Sequence, residues 1–491
     1  MAHFNVLYDP WIPVEDLNGG KTELGILPLL KEAEKYGKIN CSFPLENAAI
    51  TRLLAAFLMD AYQLNTIQER RILFRKGQFD SNILDQYVEK CENEGDSFDL
   101  FDPKYPFLQS AFNEQTDAEK KKSIASIVMT LPSGVNHVHF CHQWQDQHSL
   151  SYSETIRALC AYYAFCPIGG QGYSASVNGT PCVIYIPLED TLFKQLTLCM
   201  LSRSELGNIP MDQPKITWRK KATVISGETT AEMSLLAALT WRTRRLTLIP
   251  NNDTNTVSEI YYQQGCSFKN NGLWRDPFTS YWKSKDGRWF PKMPNPGRGL
   301  WRDIGTITAA SSESSTVAPL ILKQAAELYN SDTSIIRSSA TAVVTNQALC
   351  LEIQNDSLSI PSRYLQNVEL GEWLKDDIAL AEKVVQKIWS SYEKILGEET
   401  AKELERNSYI RIRNQLNNGY LEDLSKANTD SFEWQTEFRN RWVSVLRSVM
   451  KDTIHDAEQR KGSTIKNMID MTCASDKCRK ACENLFEKAG G

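Results

Sequence analysis

The sequence predicts an α+β fold. A large mixed N-terminal globular domain with irregular loops spans residues 1–368, and a C-terminal antiparallel four-helix bundle spans residues 369–491. Two observations place the bundle. Trp373, Leu374, Ile378, Ala381, Val385, Ile388, Tyr392 and Ile395 recur at helical spacing and stop at Gly397. Three further helical segments follow over about 399–426, 429–459 and 463–488, joined by short connections at 426–430 and 461–463. The third observation concerns the mixed part: short alternating strands and isolated apolar helices, separated by aromatic stretches that proline and glycine break. No repeat or low-complexity tract is visible, which argues against solenoids and disordered tails.

In chain order, residues 4–14 alternate as a strand ending at Pro10 and Pro13. Leu29–Tyr36 reads as a short helix with Pro28 before it. Residues 44–64 form a strongly apolar helix, with Pro44 and Glu46 in its first turn. FDPKYPFLQ (101–109) is an irregular loop pinned to the core by Phe101, Tyr105 and Phe107. A helix over 153–165, a strand over 183–186 and a helix over 192–201 come next. In residues 231–250 an apolar helix runs into a strand carrying Arg242, Arg244 and Arg245. In the tail, Asp430 or Ser431 and Ser463 or Thr464 are the expected N-caps, and NNG (417–419) interrupts one helix.

Composition is that of an ordinary globular protein, with 42% hydrophobic and 23% charged residues. Formal net charge is −5, so nucleic-acid binding would need local basic patches or partners. Twelve cysteines are scattered without a CxxC pair, and Cys473, Cys478 and Cys482 lack zinc-knuckle spacing, so reduced thiols are expected. No signal-peptide pattern and no long apolar run occurs, so a soluble cytoplasmic protein without membrane contact is expected.

Two adjacent polar loops stand out between Leu131 and Cys182. The first holds four of the six histidines: His137, His139, His142 and His148. Its His-x-His-x-Cys-His run, with Cys141, is one letter from the pattern of dizinc hydrolases, and imidazole and thiolate both suit zinc. A metal-dependent hydrolase is therefore one reading. It is short of ligands, since only His455 follows His148. Polar loop residues that bond a partner are the favoured reading. The second loop gathers Gly169, Gly170, Gln171, Gly172 and Gly179, where another backbone can approach closely. Arg242, Arg244 and Arg245, with Lys220 and Lys221 of ITWRKK, are either solvated charge on a sheet face or a phosphate-contacting patch.

LYDPWIPV, FDPKYPFLQ, SGVNHVHF, GG followed by NGTP, LTWRTRRLTLIP, GLWRDP and TNQA occur in that order between residues 7 and 348. In this the chain resembles the CasA family, the large subunits of the type I-E CRISPR surveillance complex, Cascade. The resemblance implies an RNA-guided DNA-binding protein that is not an enzyme and needs no cofactor. Its implied partners are the other Cascade subunits, crRNA, double-stranded target DNA and a helicase-nuclease. Guide pairing reads the target, while the protein reads a short flanking motif, the PAM, from the minor groove and starts R-loop formation.

By the same resemblance, Gly169, Gly170, Gln171 and Gly172 stand in the glycine loop that lies against the PAM. Asn346, Gln347 and Ala348 stand in a wedge that unstacks the adjoining step. Where relatives carry a PAM-reading lysine, this chain has Gln263, Gln264 and Gly265, with Lys269 nearest. The loop with Asn136, His137, His139, Phe140 and His142 matches a segment that contacts the crRNA 5′ region and neighbouring subunits. Some relatives hold a zinc with two CxxC pairs; only Cys160, Cys166 and Cys266 remain here, so no metal is expected. A purely architectural subunit is the remaining alternative.

Overall fold

The computed structural model describes residues 2–131, 148–167, 173, 176–177, 181–207, 209–211, 218–219, 227–270, 274–308, 314–329, 331, 334–346, 349–416, 432–460 and 464–490. The chain divides into two compact units. One comprises Met1–Leu300, Pro319–Asn330 and Arg337–Ser357; the other comprises Trp301–Ala318, Ser331–Ile336 and Leu358–Gly491. The second unit thus takes in two earlier segments as well as the tail, which a single boundary near residue 368 does not express.

The first unit begins differently from expectation. Residues 5–9 form a turn, and the strand starts only at β1 (Ile12–Asp16). Asn5 and Asp9 side chains accept from the backbone N–H groups of Leu7 and Asn5, a local alternative to strand pairing. The buried Trp11 indole donates to the Val6 carbonyl at 2.9 Å and closes the turn. β1 pairs antiparallel with β2 (Lys21–Leu24) and β3 (Tyr36–Ile39). The expected helix over 29–36 lies earlier, at Ile26–Lys31, with Pro28 inside its first turn where no N–H is missed.

Helix α1 (Pro44–Tyr62) is the axis of this unit. It is buried continuously from Ala48 to Asp60, as an all-round apolar helix must be. It packs on the helices Leu192–Cys199 and Leu235–Leu239, and on two elements defined below. Its two buried charges are both paired. Asp60 accepts from Tyr87 and Arg219. Arg52 meets Asp276 with two hydrogen bonds, at 2.7 and 3.2 Å, and stacks over the Phe278 ring at 4.9 Å.

Two further sheets, among others, bear on the candidate site. In one, β4 (Lys121–Ser123) and β5 (Leu150–Ser151) pair with β8 (Thr256–Gln264), which also forms a hairpin with β7 (Arg244–Asn251). Helix α2 (Tyr152–Ala164) starts at a capping box between Ser151 and Glu154, and packs on α1. In the other sheet, β9 (Ile335–Asn346) lies between β6 (Ile184–Leu188), which also touches α1, and β10 (Leu349–Pro361). The helices Ile67–Lys76, Ser81–Asn93 and Leu320–Tyr329 have no counterpart in the sequence reading. Charged residues dilute the period of the first two, and the third is short.

In the second unit, α3 (Val368–Leu396), α4 (Glu398–Gln415), α5 (Phe432–Gln459) and α6 (Ile465–Gly490) are the four expected helices. α3 touches the other three, α4 touches α5, and α5 touches α6, so the set encloses one core. Leu374, Ile378, Ala381, Val385, Ile388 and Tyr392 face that core, whereas Trp373 is half-buried and Ile395 exposed. Gly397 joins α3 to α4 at φ +81°, a conformation a side chain disfavours. Thr464 caps α6 by accepting from the N–H of Asn467; Asp430, Ser431, Ser463 and 417–419 lie outside the described residues. Buried polar pairs cross the core: Trp442 to the Asp377 carbonyl at 2.8 Å, Ser408 to Thr453 at 3.0 Å and Tyr392 to Ser475 at 3.0 Å.

The Arg52–Asp276 pair yields a test. Arg52→Met should destabilise the protein by about 3–5 kcal/mol by stranding a buried carboxylate. Adding Asp276→Leu should recover part of that loss. Urea unfolding of the four members of the cycle measures both effects.

Candidate nucleic-acid interface

The two strands of the β9–β10 hairpin end at Asn346 and resume at Leu349. A two-residue link makes them antiparallel neighbours. Gln347 and Ala348, which form the link, lie outside the described residues, as do Gly169, Gly170, Gln171 and Gly172. The described residues around both segments nonetheless fix where each departs from the fold.

Register relates the two. β6 runs antiparallel to β9, with Ile184 opposite Thr341 and Leu188 opposite Arg337. The chain arrives at Ile184 from the glycine segment, so that segment precedes the Thr341 end of the sheet. β9 continues from Ala342 to Asn346 in the same direction, about 17 Å at 3.4 Å per residue. Ala342, Val343 and Val344 are buried, Thr345 is half-buried and Asn346 is exposed. The incoming strand is held firmly: Thr279 donates to the Val183 carbonyl at 2.6 Å, and Tyr185 N–H donates to the Phe278 carbonyl at 2.8 Å.

The stems of the glycine segment converge on one arginine. Arg244 Nη2 donates to the Pro167 carbonyl at 3.3 Å on the near side. On the far side its guanidinium lies 5.1 Å from the centroid of the Tyr173 ring. Its Nε donates to the Tyr262 hydroxyl at 3.0 Å, and that hydroxyl pairs with the Tyr162 hydroxyl at 2.7 Å. Lys122 on β4 places its ammonium over the same two rings, 4.1 Å from Tyr262 and 5.5 Å from Tyr173. Burial against the rings and the neighbouring Arg244 push its pKa down.

These positions correct the expectation of a basic patch on β7. Arg244 is fully buried. Arg242 is buried too, donates to the Gln109 carbonyl at 2.5 Å, and is pulled down to about 10 by desolvation. Arg245 grips Asp117 with Nε at 3.2 Å and Nη2 at 3.0 Å, and donates to the Ala111 carbonyl. Arg242 and Arg244 thus serve the interior, and the half-buried Arg245 is committed to Asp117. Lys220 and Lys221 lie outside the described residues.

The end of β8 and the glycine after it are also internally committed. Gln263 donates to Asp117 and the Thr116 carbonyl, and Gln264 donates to the Gly265 carbonyl at 3.1 Å. Gly265 packs so closely that a Cβ would stand 2.5 Å from the Arg242 carbonyl oxygen. Glycine here serves a close backbone approach. Lys269, by contrast, is exposed.

Asn136, His137, His139, Phe140, Cys141 and His142 lie outside the described residues; Leu131 and His148 bracket them. Among the described residues, no three His, Cys, Asp or Glu gather as a metal would require, Cys160, Cys166 and Cys266 included. Burial pushes the thiols of Cys160 and Cys166 up, and the Cys266 thiol donates to Glu228 at 3.5 Å. This donor set does not fit a zinc site. No described helix is long and apolar enough to cross a membrane. Sequence reasoning missed Pro167, Tyr173 and Lys122 as supports of the glycine segment. The Lys120–Lys122 run was the only signal for the last.

Two tests follow from this geometry. Gly265→Ala should destabilise the fold by about 1–3 kcal/mol, because backbone must move to admit the methyl; thermal unfolding measures it. Desolvation raises the Asp117 pKa, but bonds from Arg245 and the Asn113 backbone outweigh it, leaving the pKa below the ordinary 3.8. Its stabilisation is therefore complete above 3.8 and should fade as pH falls through the lowered value. Asp117→Asn should flatten that acid limb of the stability profile.

The family model for CRISPR-associated protein Cse1 matches residues 5–466. The CRISPR-associated protein CasA/Cse1 of Thermus thermophilus is 26% identical over 453 residues, covering 87% of this chain and 83% of that protein. The fold is similar to Cse1 of Thermobifida fusca, with TM-score 0.80, 21% identity and 99% of each chain covered. It is also similar to Cse1 of Acidimicrobium ferrooxidans, with TM-score 0.82, 16% identity and the whole of each chain covered. A chain of a solved CRISPR RNA-guided surveillance complex matches with TM-score 0.72 and 17% identity, over 98% of this chain and 100% of that one. With nearly its whole length matched, the chain belongs to the CRISPR-associated Cse1 family, whose members are also called CasA.

Proposed function

We propose that this protein is the large subunit of a type I-E RNA-guided surveillance complex, where it reads the PAM and starts R-loop formation. The observation that carries the reading is the sheet register. The glycine segment precedes the Thr341 end of the β6–β9 pairing, and the β9–β10 hairpin runs on in that direction to an exposed Asn346. A recognition strip and a wedge must act on adjoining base pairs, so they need a common support. The chain runs from the glycine segment into β6, which pairs with β9, and this continuity supports the reading.

In this reading Gly169 and Gly170, with Gln171 and Gly172, lie along the minor groove, where a Cβ would hold the backbone away. The groove's degenerate code suits tolerance of several PAM sequences. Gln347, flanked by Asn346 and Ala348, enters beneath the last PAM pair. Unstacking that step costs a few kcal/mol, roughly what makes nucleation the uphill part of R-loop growth. Guide–target pairing then about balances the duplex lost. Lys269 is a phosphate-contact candidate by its exposure. Gln263 and Gln264 would first have to leave their internal bonds, and Lys220 and Lys221 remain candidates by sequence. The segment with Asn136, His137, His139, Phe140 and His142 contacts crRNA and neighbouring subunits. The locked complex recruits the helicase-nuclease.

In the assembled complex, Gln347→Ala should impair R-loop formation on intact duplex and recover on a target pre-melted beside the PAM. Equal loss on both substrates would mark a folding defect. Full activity on both would leave an architectural role. Gly170→Asp should weaken PAM-dependent binding, read by titrating labelled duplex, through bulk and through negative charge near phosphate.

A further inference from the structure

We propose that Arg244 is a positioning residue that fixes both stems of the glycine segment, with Tyr173 as its outer handle. The inference rests on the reading of that segment as the PAM-contacting strip. It adds what holds the strip in place.

The geometry is specific. A single guanidinium reaches Pro167, two residues before Gly169, and Tyr173, the residue after Gly172. Pro167 contributes a carbonyl and Tyr173 a ring face, and these are the two surfaces a planar cation binds best. The guanidinium is itself oriented from behind by the Tyr262 hydroxyl, which the Tyr162 hydroxyl holds in turn. Tyr173 is fixed on two further sides, edge-on to Tyr262 at 5.5 Å and under the Lys122 ammonium. A run of glycines has little conformational preference of its own. The positional constraint therefore comes from the flanking residues, and Arg244 holds one on each side.

This assignment explains why a fully buried arginine stands at the start of β7. An arginine offering charge to phosphate would be exposed. One that joins a carbonyl to a ring beneath a loop is buried. Lysine at position 244 would keep the charge but lose the fork that serves Tyr262, Pro167 and Tyr173 together.

The test uses Tyr173→Leu, Tyr173→Phe and Arg244→Lys. Hydrogen exchange of the peptide spanning residues 168–173 is read in the isolated protein, and target binding in the assembled complex. Tyr173→Leu and Arg244→Lys should each speed exchange about tenfold relative to the wild type, as loss of a cation–ring contact predicts, and Tyr173→Phe should not. Both should weaken PAM-bearing duplex about tenfold, while binding of a single-stranded target, which needs only guide pairing, stays unchanged. Should Arg244→Lys fail to fold, Tyr173→Leu carries the test, because that ring is only half-buried. Wild-type exchange in Tyr173→Leu overturns the proposal. So does wild-type duplex binding by Tyr173→Leu when Gly170→Asp binds weakly. Faster exchange with duplex binding unchanged in both Tyr173→Leu and Gly170→Asp upholds the clamp and refutes the PAM-contact reading instead.

Discussion

The buried Arg52–Asp276 pair is the constraint on which the first unit depends. Two charges removed from water are tolerable only when they satisfy each other with good geometry, and here two parallel hydrogen bonds do so. The pairing fixes more than two side chains. Asp276 also accepts from the N–H of Phe278, so the turn after it has one shape. Phe278 and Thr279 then hold Tyr185 and Val183 in line, and β6 in turn sets the register of β9. A charge on the central helix is thereby linked to the direction in which the hairpin leaves the sheet. Loosening the pair would affect the hairpin without touching it.

A second theme is the use of cations as interior connectors. Arg242, Arg244 and Arg245 sit within four consecutive residues on or beside one strand, yet each reaches a different segment: Gln109, Pro167 and Asp117. Guanidinium suits this task because its donors fork in a plane and it holds its charge when partly desolvated. Arg70 shows the same use elsewhere in the unit: it is fully buried and joins Glu205 to the carbonyls of Met200 and Gln324. For a chain of net charge −5, this spends cations that an anionic ligand would otherwise meet at the surface.

Much of the framework was legible in the sequence. The long helices of the tail were readable because their apolar residues repeat over many turns, so a local period persists long enough to be decisive. Helix α1 was readable for a similar reason, being apolar on every face. The first half of the strand read over residues 4–14 is instead a turn, because Asn5 and Asp9 bond the backbone locally, while Ile12–Val14 are in β1 as expected. Such short-range competition leaves no trace in hydrophobic pattern.

By itself the sequence determined the α+β class, the four tail helices, the ordered series of motifs that marks the family, and the two segments from which DNA contact is proposed. Each depends on residues close together in the chain. Tertiary structure alone decided that the β7 arginines face inward, that Gly265 answers to the Arg242 carbonyl, and that Pro167 and Tyr173 meet at Arg244. Each of these depends on partners far apart in sequence. A cation reads the same in one dimension whether it will meet water, phosphate or a carbonyl, and only the fold brings its partner to it.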